Sequence, residues 1–141
     1  MKYYIYIITS DRRHFKIGYT NDISKRVKSL QTGNPKELSL DILIEVGSER
    51  QAFNYEQYLH EMFRVFRVKG EWFSYKIKEY GMKSKRKQIY NIVFRSVSAF
   101  NYKVIVWPEQ YKFDEDELTD AHKEILRNGF PIGWNPKKHA A

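Results

Sequence analysis

Three stretches in the first third of the chain have the residue types or the apolar–polar alternation of strands. Residues 3–9 are dense in tyrosine and isoleucine, and a second short strand is expected over residues 15–19, after a turn. Leucine, isoleucine and valine occupy every second position of residues 38–46, which is the period of a half-buried strand. The first two strands are close enough in sequence to form a hairpin.

Apolar residues at helical spacing follow the second and the third predicted strands. The first helix presents Ile23, Val27 and Leu30 on one face, and an Asn-Asp pair before it can cap its start. The second helix begins with a capping box at residues 48–51. Its apolar face comprises Ala52, Tyr55, Leu59, Met62 and Phe66. This order of elements predicts an α/β (α+β) fold with a small three-stranded antiparallel sheet flanked by helices.

The second half of the chain has a weaker pattern. Residues 76–88 are basic and contain a glycine, which favours a linker or a solvated helix. Strands are expected over residues 88–94 and 101–107, and one helical face over residues 118–125. The predicted organisation is a domain over residues 1–75, a basic linker over residues 76–88 and a short α+β region over residues 89–141.

Composition narrows the classes of partner and site. The net charge of +8 favours a polyanionic partner, such as nucleic acid or an anionic membrane face, although charge alone is a weak signal. The chain has no cysteine, which excludes disulfides and thiolate metal sites and favours an intracellular setting. The apolar run at the start is too short to cross a bilayer and lacks a signal-peptide cleavage pattern, so we expect a soluble, cytoplasmic protein.

Several polar residues lie beside the predicted apolar faces. Arg26 precedes Val27 on the first helix, Glu56 lies at the margin of the second, and His60 is one turn further along. An Arg and a Glu placed in this way can meet over the sheet, and the alternative is an ordinary surface salt bridge. Gly18, inside a predicted strand, indicates either a bulge or a close approach to the backbone.

Four short features occur in order over residues 3–73. The tripeptide YIY (residues 4–6) lies on the first strand, KIG (residues 16–18) on the second, Arg26 on the first helix and Glu56 on the second. This arrangement resembles the GIY-YIG endonuclease superfamily, in which two tripeptides, an Arg and a metal-binding Glu take these places. The resemblance implies that family's fold and metal-dependent cleavage of phosphodiester bonds in DNA.

Two departures from the family pattern indicate one branch of it, which is often phage-encoded. Tyr4 stands where the first motif usually has Gly, and Lys16 stands where the second usually has Tyr. That branch also carries segments like LQTGNP at residues 30–35, E-x-x-x-H at residues 56–60 and GEWF at residues 70–73. The Asn that many members carry near the end of the domain is absent from this sequence.

The residue types suit phosphodiester hydrolysis, which needs a base for the attacking water and positive charge around the phosphate. Tyr6 is the candidate base, Tyr4 is a supporting hydrogen-bond donor, and the charge of Lys16 should lower the pKa of Tyr6. Arg26 offers a planar fork of donors to a phosphate. Glu56 is expected to bind one divalent cation, Mg²⁺ or Mn²⁺, with waters and a phosphate oxygen completing its coordination.

Other residues are predicted to contact nucleic acid. Gly18 would let a phosphate or backbone approach the sheet, and Tyr19 and Thr20 could either contact the substrate or simply end their strand. A basic run in the second half could hold a phosphate backbone with Tyr90 as an aromatic platform, or could only solubilise the chain. The run comprises Lys83, Lys85, Arg86 and Lys87.

Some assignments stay open. His60 is either a second metal ligand or a residue hydrogen bonded to substrate or to a neighbouring side chain. Glu71 is expected to hold a turn, and Trp72 and Phe73 to pack against the sheet. The alternative functions are a catalytically silent nucleic-acid-binding protein, acting as a repressor or protecting a site, and a basic protein-binding module. The sequence does not distinguish duplex from single-stranded DNA, or a monomer from an oligomer.

Overall fold

A computed structural model describes residues 1–76 and 84–108, which form a mixed α+β structure around one antiparallel sheet. In chain order the elements are β1 (Tyr3–Ser10), β2 (His14–Thr20), α1 (Ile23–Gln31), β3 (Leu38–Val46), α2 (Glu49–Met62), a one-turn 3-10 helix (Arg64–Phe66), β4 (Arg67–Lys69), β5 (Trp72–Ser74), α3 (Arg86–Phe100) and β6 (Lys103–Val106). The predicted fold class is confirmed, but the described sheet has six strands, in the order β4-β5-β2-β1-β3-β6, rather than three.

The three predicted strands form the centre of the sheet. β1 pairs with β2 on one side and with β3 on the other, so that Tyr6 lies between Gly18 and Leu43. β5 then extends the sheet beyond β2, and β6 extends it beyond β3. β4 and β5 are only three residues long and carry too little periodicity to be predicted, while β6 is predicted as a strand but in a separate C-terminal region.

The alternation of β1 divides the core into two layers. Ile5 and Ile7 point to the face covered by α2 and α3, where the larger hydrophobic cluster lies. Tyr6 and Ile8 point to the opposite face, which α1 covers with a smaller apolar set that includes Val27. In the part of the chain that the structure describes, no helix is long and apolar enough to cross a membrane.

The predicted helix caps are confirmed at both N-termini. The Asp22 carboxylate accepts a hydrogen bond from the Lys25 backbone N–H (3.1 Å), and the Ser48 hydroxyl accepts one from Gln51 (3.2 Å). The second helix ends earlier than its apolar face predicts, since Phe66 lies in the 3-10 turn after it.

The strand predicted over residues 88–94 is wrong, because that segment belongs to α3. Its buried apolar residues Ile89, Tyr90, Val93 and Val97 follow a helical period, and they pack in the larger cluster. The segment is rich in β-branched and aromatic side chains, which mimics a strand over a short window.

The remaining predictions for the second half have mixed outcomes. The strand expected over residues 101–107 is confirmed as β6, and it follows Asn101, which ends α3 in the left-handed conformation. α3 begins inside the predicted basic linker, while the predicted helix over residues 118–125 lies outside the described residues. The predicted division into domains falls at residue 75. α3, which follows it, packs in the larger hydrophobic cluster, and β6 is a strand of the same sheet as β1–β3.

Candidate active site

A cleft of about 570 Å³ opens beside the end of β1 and β2 that lies away from their connecting turn. Five elements supply its lining: β1, β2, α1, α2 and the turn before β5. The lining includes Tyr6, Gly18, Arg26, Glu56 and Glu71. The fold therefore brings six of the predicted site residues, Tyr19 and Thr20 among them, to one concave surface, together with the Glu71 carboxylate, which the sequence predicts in a turn.

Gly18 is required by the ring of Tyr6. The two residues are paired across β1 and β2, and a Cβ built on Gly18 would lie 2.3 Å from the Tyr6 hydroxyl oxygen and 2.5 Å from the ring carbon that bears it. Any side chain at position 18 would thus collide with the tyrosine. The close approach expected at this glycine is made by a side chain of the protein, where the sequence predicted a phosphate or backbone.

Gly18→Ala should therefore destabilise the protein by about 1–3 kcal/mol, because the Tyr6 ring has to move out of a packed position. Urea unfolding of the variant checks this. Gly47→Ala is the matched control, since a Cβ there meets only the end of the flexible Gln51 side chain. Equal midpoints for wild type and Gly18→Ala would show that the ring relocates at no cost.

Tyr6 is buried, and its proton is held tightly. Desolvation raises the pKa of the Tyr6 phenol to about 12, while Arg26 opposes that rise through its charge and a hydrogen bond. The expectation that Lys16 lowers the pKa of Tyr6 is wrong, because the Lys16 ammonium donates to the Glu71 carboxylate at 2.7 Å. The cation beside the candidate base is Arg26.

Glu56 is a buried carboxyl group at the cleft. Desolvation, with a further contribution from the charge of Glu71, raises the pKa of Glu56 to about 7. A hydrogen bond from the Tyr19 backbone N–H and the positive charges of Lys16 and Arg26 act in the opposite direction. Burial and the neighbouring Glu71 both disfavour the ionised form of Glu56, so a cation bound between the two carboxylates would stabilise it.

The donor set around Glu56 suits a hard divalent cation. Carboxylate oxygens are the protein ligands that Mg²⁺ and Mn²⁺ accept, and Mg²⁺ commonly keeps several waters. Within residues 1–76 and 84–108, no group of three or more His, Cys, Asp or Glu side chains is close enough to enclose a metal ion. A cation at this cleft would have Glu56 as its protein ligand and Glu71 as the neighbouring carboxylate, with waters in its other positions.

His60 is committed to the backbone of β2. Its Nε2 atom lies 3.0 Å from the Ile17 carbonyl oxygen, which accepts a hydrogen bond from it, and 4.0 Å from a Glu56 oxygen. Burial lowers the pKa of His60, which favours the neutral ring. Because the nitrogen nearest Glu56 is used in this bond, His60 positions α2 against β2, and the alternative of ligation through that nitrogen is disfavoured.

Other predicted site residues lie elsewhere or have other partners. Tyr4 packs with the apolar residues of α1 on the outer face of the sheet. Tyr19 and Thr20 both line the cleft, but the Thr20 hydroxyl is hydrogen bonded to the backbone of Asp22 and so supports the start of α1.

The basic residues that are predicted to bind nucleic acid do not line the cleft, in so far as they belong to the described residues. Arg86 lies 4.1 Å above the Tyr75 ring and donates to the Arg12 carbonyl oxygen in the β1–β2 turn. That turn is four residues along β1 from Tyr6, about 13 Å. Lys85 and Lys87 flank Arg86 at the start of α3. Lys83 lies outside the described residues.

The sequence predicts Tyr90 as an aromatic platform for nucleic acid, but the structure does not expose it. Its side chain is buried, and its hydroxyl is bonded to the Asp41 carboxylate (2.8 Å) and to the Tyr75 hydroxyl (2.7 Å). Thr9 hydrogen bonds to both Asp41 and Tyr75 and closes this polar ring. The network fastens α3 to the sheet and gives Tyr90 a structural role.

Sequence reasoning did not assign six of the lining residues to the site: Tyr3, Asn21, Glu49, Phe53, Gln57 and Glu71. Glu71 reaches the cleft only because β5 pairs with β2, which sets Trp72 opposite Lys16. Phe53 and Tyr3 also line the cleft. Only Phe53 carried a readable signal, as a large apolar residue off the apolar face of its helix.

Comparison with known proteins gives one match. The model of the T5orf172 domain matches residues 3–96, from the start of β1 into α3. No curated protein and no solved structure matches the chain.

Proposed function

Because the chain belongs to the T5orf172 domain family, we propose that it is a metal-dependent endonuclease that hydrolyses phosphodiester bonds in DNA. T5orf172 domains are found in phage and nuclease-like proteins, and the order of motifs resembles that of the GIY-YIG endonucleases. The observation that carries the proposal is the convergence of Tyr6, Arg26 and Glu56 on one cleft. These residues come from three elements, and a purely structural Arg and Glu would have no reason to meet beside a buried phenol.

Arg26 is the phosphate-binding group in this proposal. It is exposed on α1 at the cleft, and besides the donor that it gives to Tyr6 its planar fork carries further N–H groups that can meet phosphate oxygens. Its charge also acts on Tyr6, which keeps the phosphate and the proton acceptor next to the same cation. The net charge of +8 would draw a polyanion to the protein before these contacts form.

Glu56 would hold the divalent cation, with Glu71 beside it. A bound Mg²⁺ or Mn²⁺ would supply positive charge to the phosphate oxygens and to the oxyanion that leaves. Lys16 holds Glu71 at 2.7 Å and thereby fixes the position of that second carboxylate. His60, bonded to the Ile17 carbonyl oxygen, keeps α2 and its Glu56 against β2.

Tyr6 would take the proton of the attacking water. With a pKa of about 12 only a very small fraction of Tyr6 is phenolate at neutral pH, but that phenolate is a strong base, and Arg26 favours its formation. The ring is fixed by its fit over Gly18, so the hydroxyl has a defined position in the cleft. The proposed chemistry should accordingly become faster with rising pH.

The proposal is tested by incubating the protein with supercoiled plasmid and with single-stranded oligonucleotides in Mg²⁺, Mn²⁺ or EDTA. We expect nicked or linear plasmid, or shortened oligonucleotides, with either cation and none with EDTA. Cleavage that is equally fast in EDTA would contradict the metal-dependent mechanism.

One observation favours a second candidate, a nucleic-acid-binding protein without catalysis. Because the pKa of Tyr6 is high, very little phenolate is present at neutral pH to take a proton. A cleft of this kind could bind nucleic acid without cleaving it. The same samples distinguish the two functions. DNA that is shifted on a native gel but is intact with both cations, up to pH 9, would support the silent protein.

A further inference from the structure

One side of the cleft carries an exposed aromatic ring. Phe53 lies on α2 with 48% of its surface exposed. The other large hydrophobic side chains that are exposed among the described residues, Met1, Val65, Val68 and Ile105, are aliphatic. The positions around it on that side of the helix are polar, including Glu49 and Gln57, which also line the cleft. A phenylalanine kept in contact with water beside a polar cleft calls for a ligand with an apolar face.

Phe53 forms a corner with a second aromatic ring. The ring centroids of Tyr19 and Phe53 are 6.5 Å apart and their planes are at 85°, so the edge of one ring meets the face of the other. Both residues line the cleft. A flat ligand can stack on one ring of this corner while its edge meets the other.

The corner lies next to the proposed cation site. Phe53 is three residues, a rise of about 4.5 Å, before Glu56 on α2, so the two side chains lie on neighbouring positions of the helix surface. The backbone N–H of Tyr19 donates to the Glu56 carboxylate. A single nucleotide could therefore place its phosphate at Arg26, next to a cation on Glu56, and its base at the aromatic corner.

The Arg26 cation and one further carboxylate lie near different tyrosines of the cleft. The Arg26 charge lowers the pKa of Tyr6, whereas the Glu49 charge raises that of Tyr19, and Glu56 and Glu71 raise both. The Tyr3 hydroxyl donates to Glu49 at 3.4 Å. A phosphate would be repelled beside Glu49. A neutral base, whose exocyclic amino groups can donate to a carboxylate, suits this position.

We propose that Tyr19 and Phe53 bind an unpaired nucleobase beside the scissile phosphate, so that the substrate is a strand with at least one unstacked nucleotide. In an intact duplex the faces of each base are covered by its neighbours, and a base must be unpaired or flipped before an aromatic ring can stack on it. This inference rests on the proposed function and narrows its substrate to single strands, flaps or bulges.

The test measures binding in EDTA with oligonucleotides that carry 2-aminopurine, a base whose fluorescence falls on stacking. The wild-type protein should quench a single-stranded or bulged probe more than the same probe in a full duplex. Phe53→Ala should bind the unpaired probe about 5- to 100-fold more weakly and leave duplex affinity nearly unchanged, because one stacking contact is lost. Phe53→Trp should restore both quenching and affinity.

Val68→Ala is the matched control, since Val68 is also exposed and apolar but lies on β4. The inference is overturned if the unpaired probe binds wild type and Phe53→Ala equally, if both kinds of probe weaken together, or if neither is bound. Its failure is distinct from that of the nuclease proposal. If quenching depends on Phe53 but no DNA is cleaved in Mg²⁺ or Mn²⁺, the proposed base-binding site stands and the proposed nuclease activity is rejected.

Discussion

Replacing Glu56 by glutamine should abolish DNA cleavage, with a loss of at least about a thousandfold in rate. The amide keeps the shape of the side chain but cannot supply the negative charge that a divalent cation needs at this position. The fold should be retained, since burial already raises the pKa of the carboxyl group to about 7 and the neutral amide is no harder to bury. Single-turnover cleavage of a labelled substrate in Mg²⁺ or Mn²⁺ measures the effect.

A second readout separates loss of the cation from loss of the fold. Mn²⁺ should raise the melting temperature of the wild-type protein by an amount that grows with the logarithm of one plus the ratio of the Mn²⁺ concentration to its Kd, and it should not raise that of Glu56→Gln. Glu61→Gln is the matched control, because Glu61 is on the same helix but is exposed and paired with Arg64 at 3.1 Å. Wild-type cleavage by Glu56→Gln would reject Glu56 as the cation ligand.

Tyr6→Phe should slow cleavage by about 10²- to 10⁴-fold, because it keeps the ring over Gly18 and removes only the hydroxyl that takes the proton. The pH profile gives a sharper criterion. Below a pKa of about 12 the phenolate fraction rises about tenfold for each pH unit, so the wild-type rate should still climb between pH 8 and 9.5. Over that range Glu56 and His60 have already lost their protons.

The variant profile and a control complete this test. Tyr6→Phe should be nearly flat above pH 8, and Tyr4→Phe should lose far less activity, since Tyr6 lines the cleft and Tyr4 is not among its lining residues. A wild-type rate that levels off near pH 8, or a Tyr6→Phe rate close to wild type, would assign the proton to another acceptor.

The centre of the fold could be predicted because short-range patterns determine it. The alternation over β3, the hairpin of β1 and β2 and the caps at Asp22 and Ser48 depend on residues within a few positions of one another. The site residues Tyr6, Gly18, Arg26 and Glu56 lie on or beside these elements. Their meeting in one cleft therefore follows from well-patterned parts of the chain.

The rest depends on contacts between residues far apart in sequence. α3 resembles a strand locally, and its helical period becomes clear only when the buried residues from Ile89 to Val97 are considered together. The partner of Lys16 could not be predicted, because Glu71 approaches it through the pairing of β5 with β2, two strands more than fifty residues apart. The sequence predicts a lowered pKa for Tyr6, but the burial that raises it results from packing between distant segments and outweighs the charge of Arg26.

The order of strands in the sheet also bears on synthesis of the chain. β1, β2 and β3 emerge first and can pair at once, whereas the outer edges of β2 and β3 wait for β5 and β6. At about 5–20 residues per second, the roughly 60 residues between β3 and β6 take about 3–12 s to be made. During that interval the outer edge of β3 stays open, while that of β2 is open for the roughly 25 residues that precede β5, and either edge can pair with another chain. Aggregation during translation should therefore begin at these two edges, and slow codons in this interval would prolong the exposure.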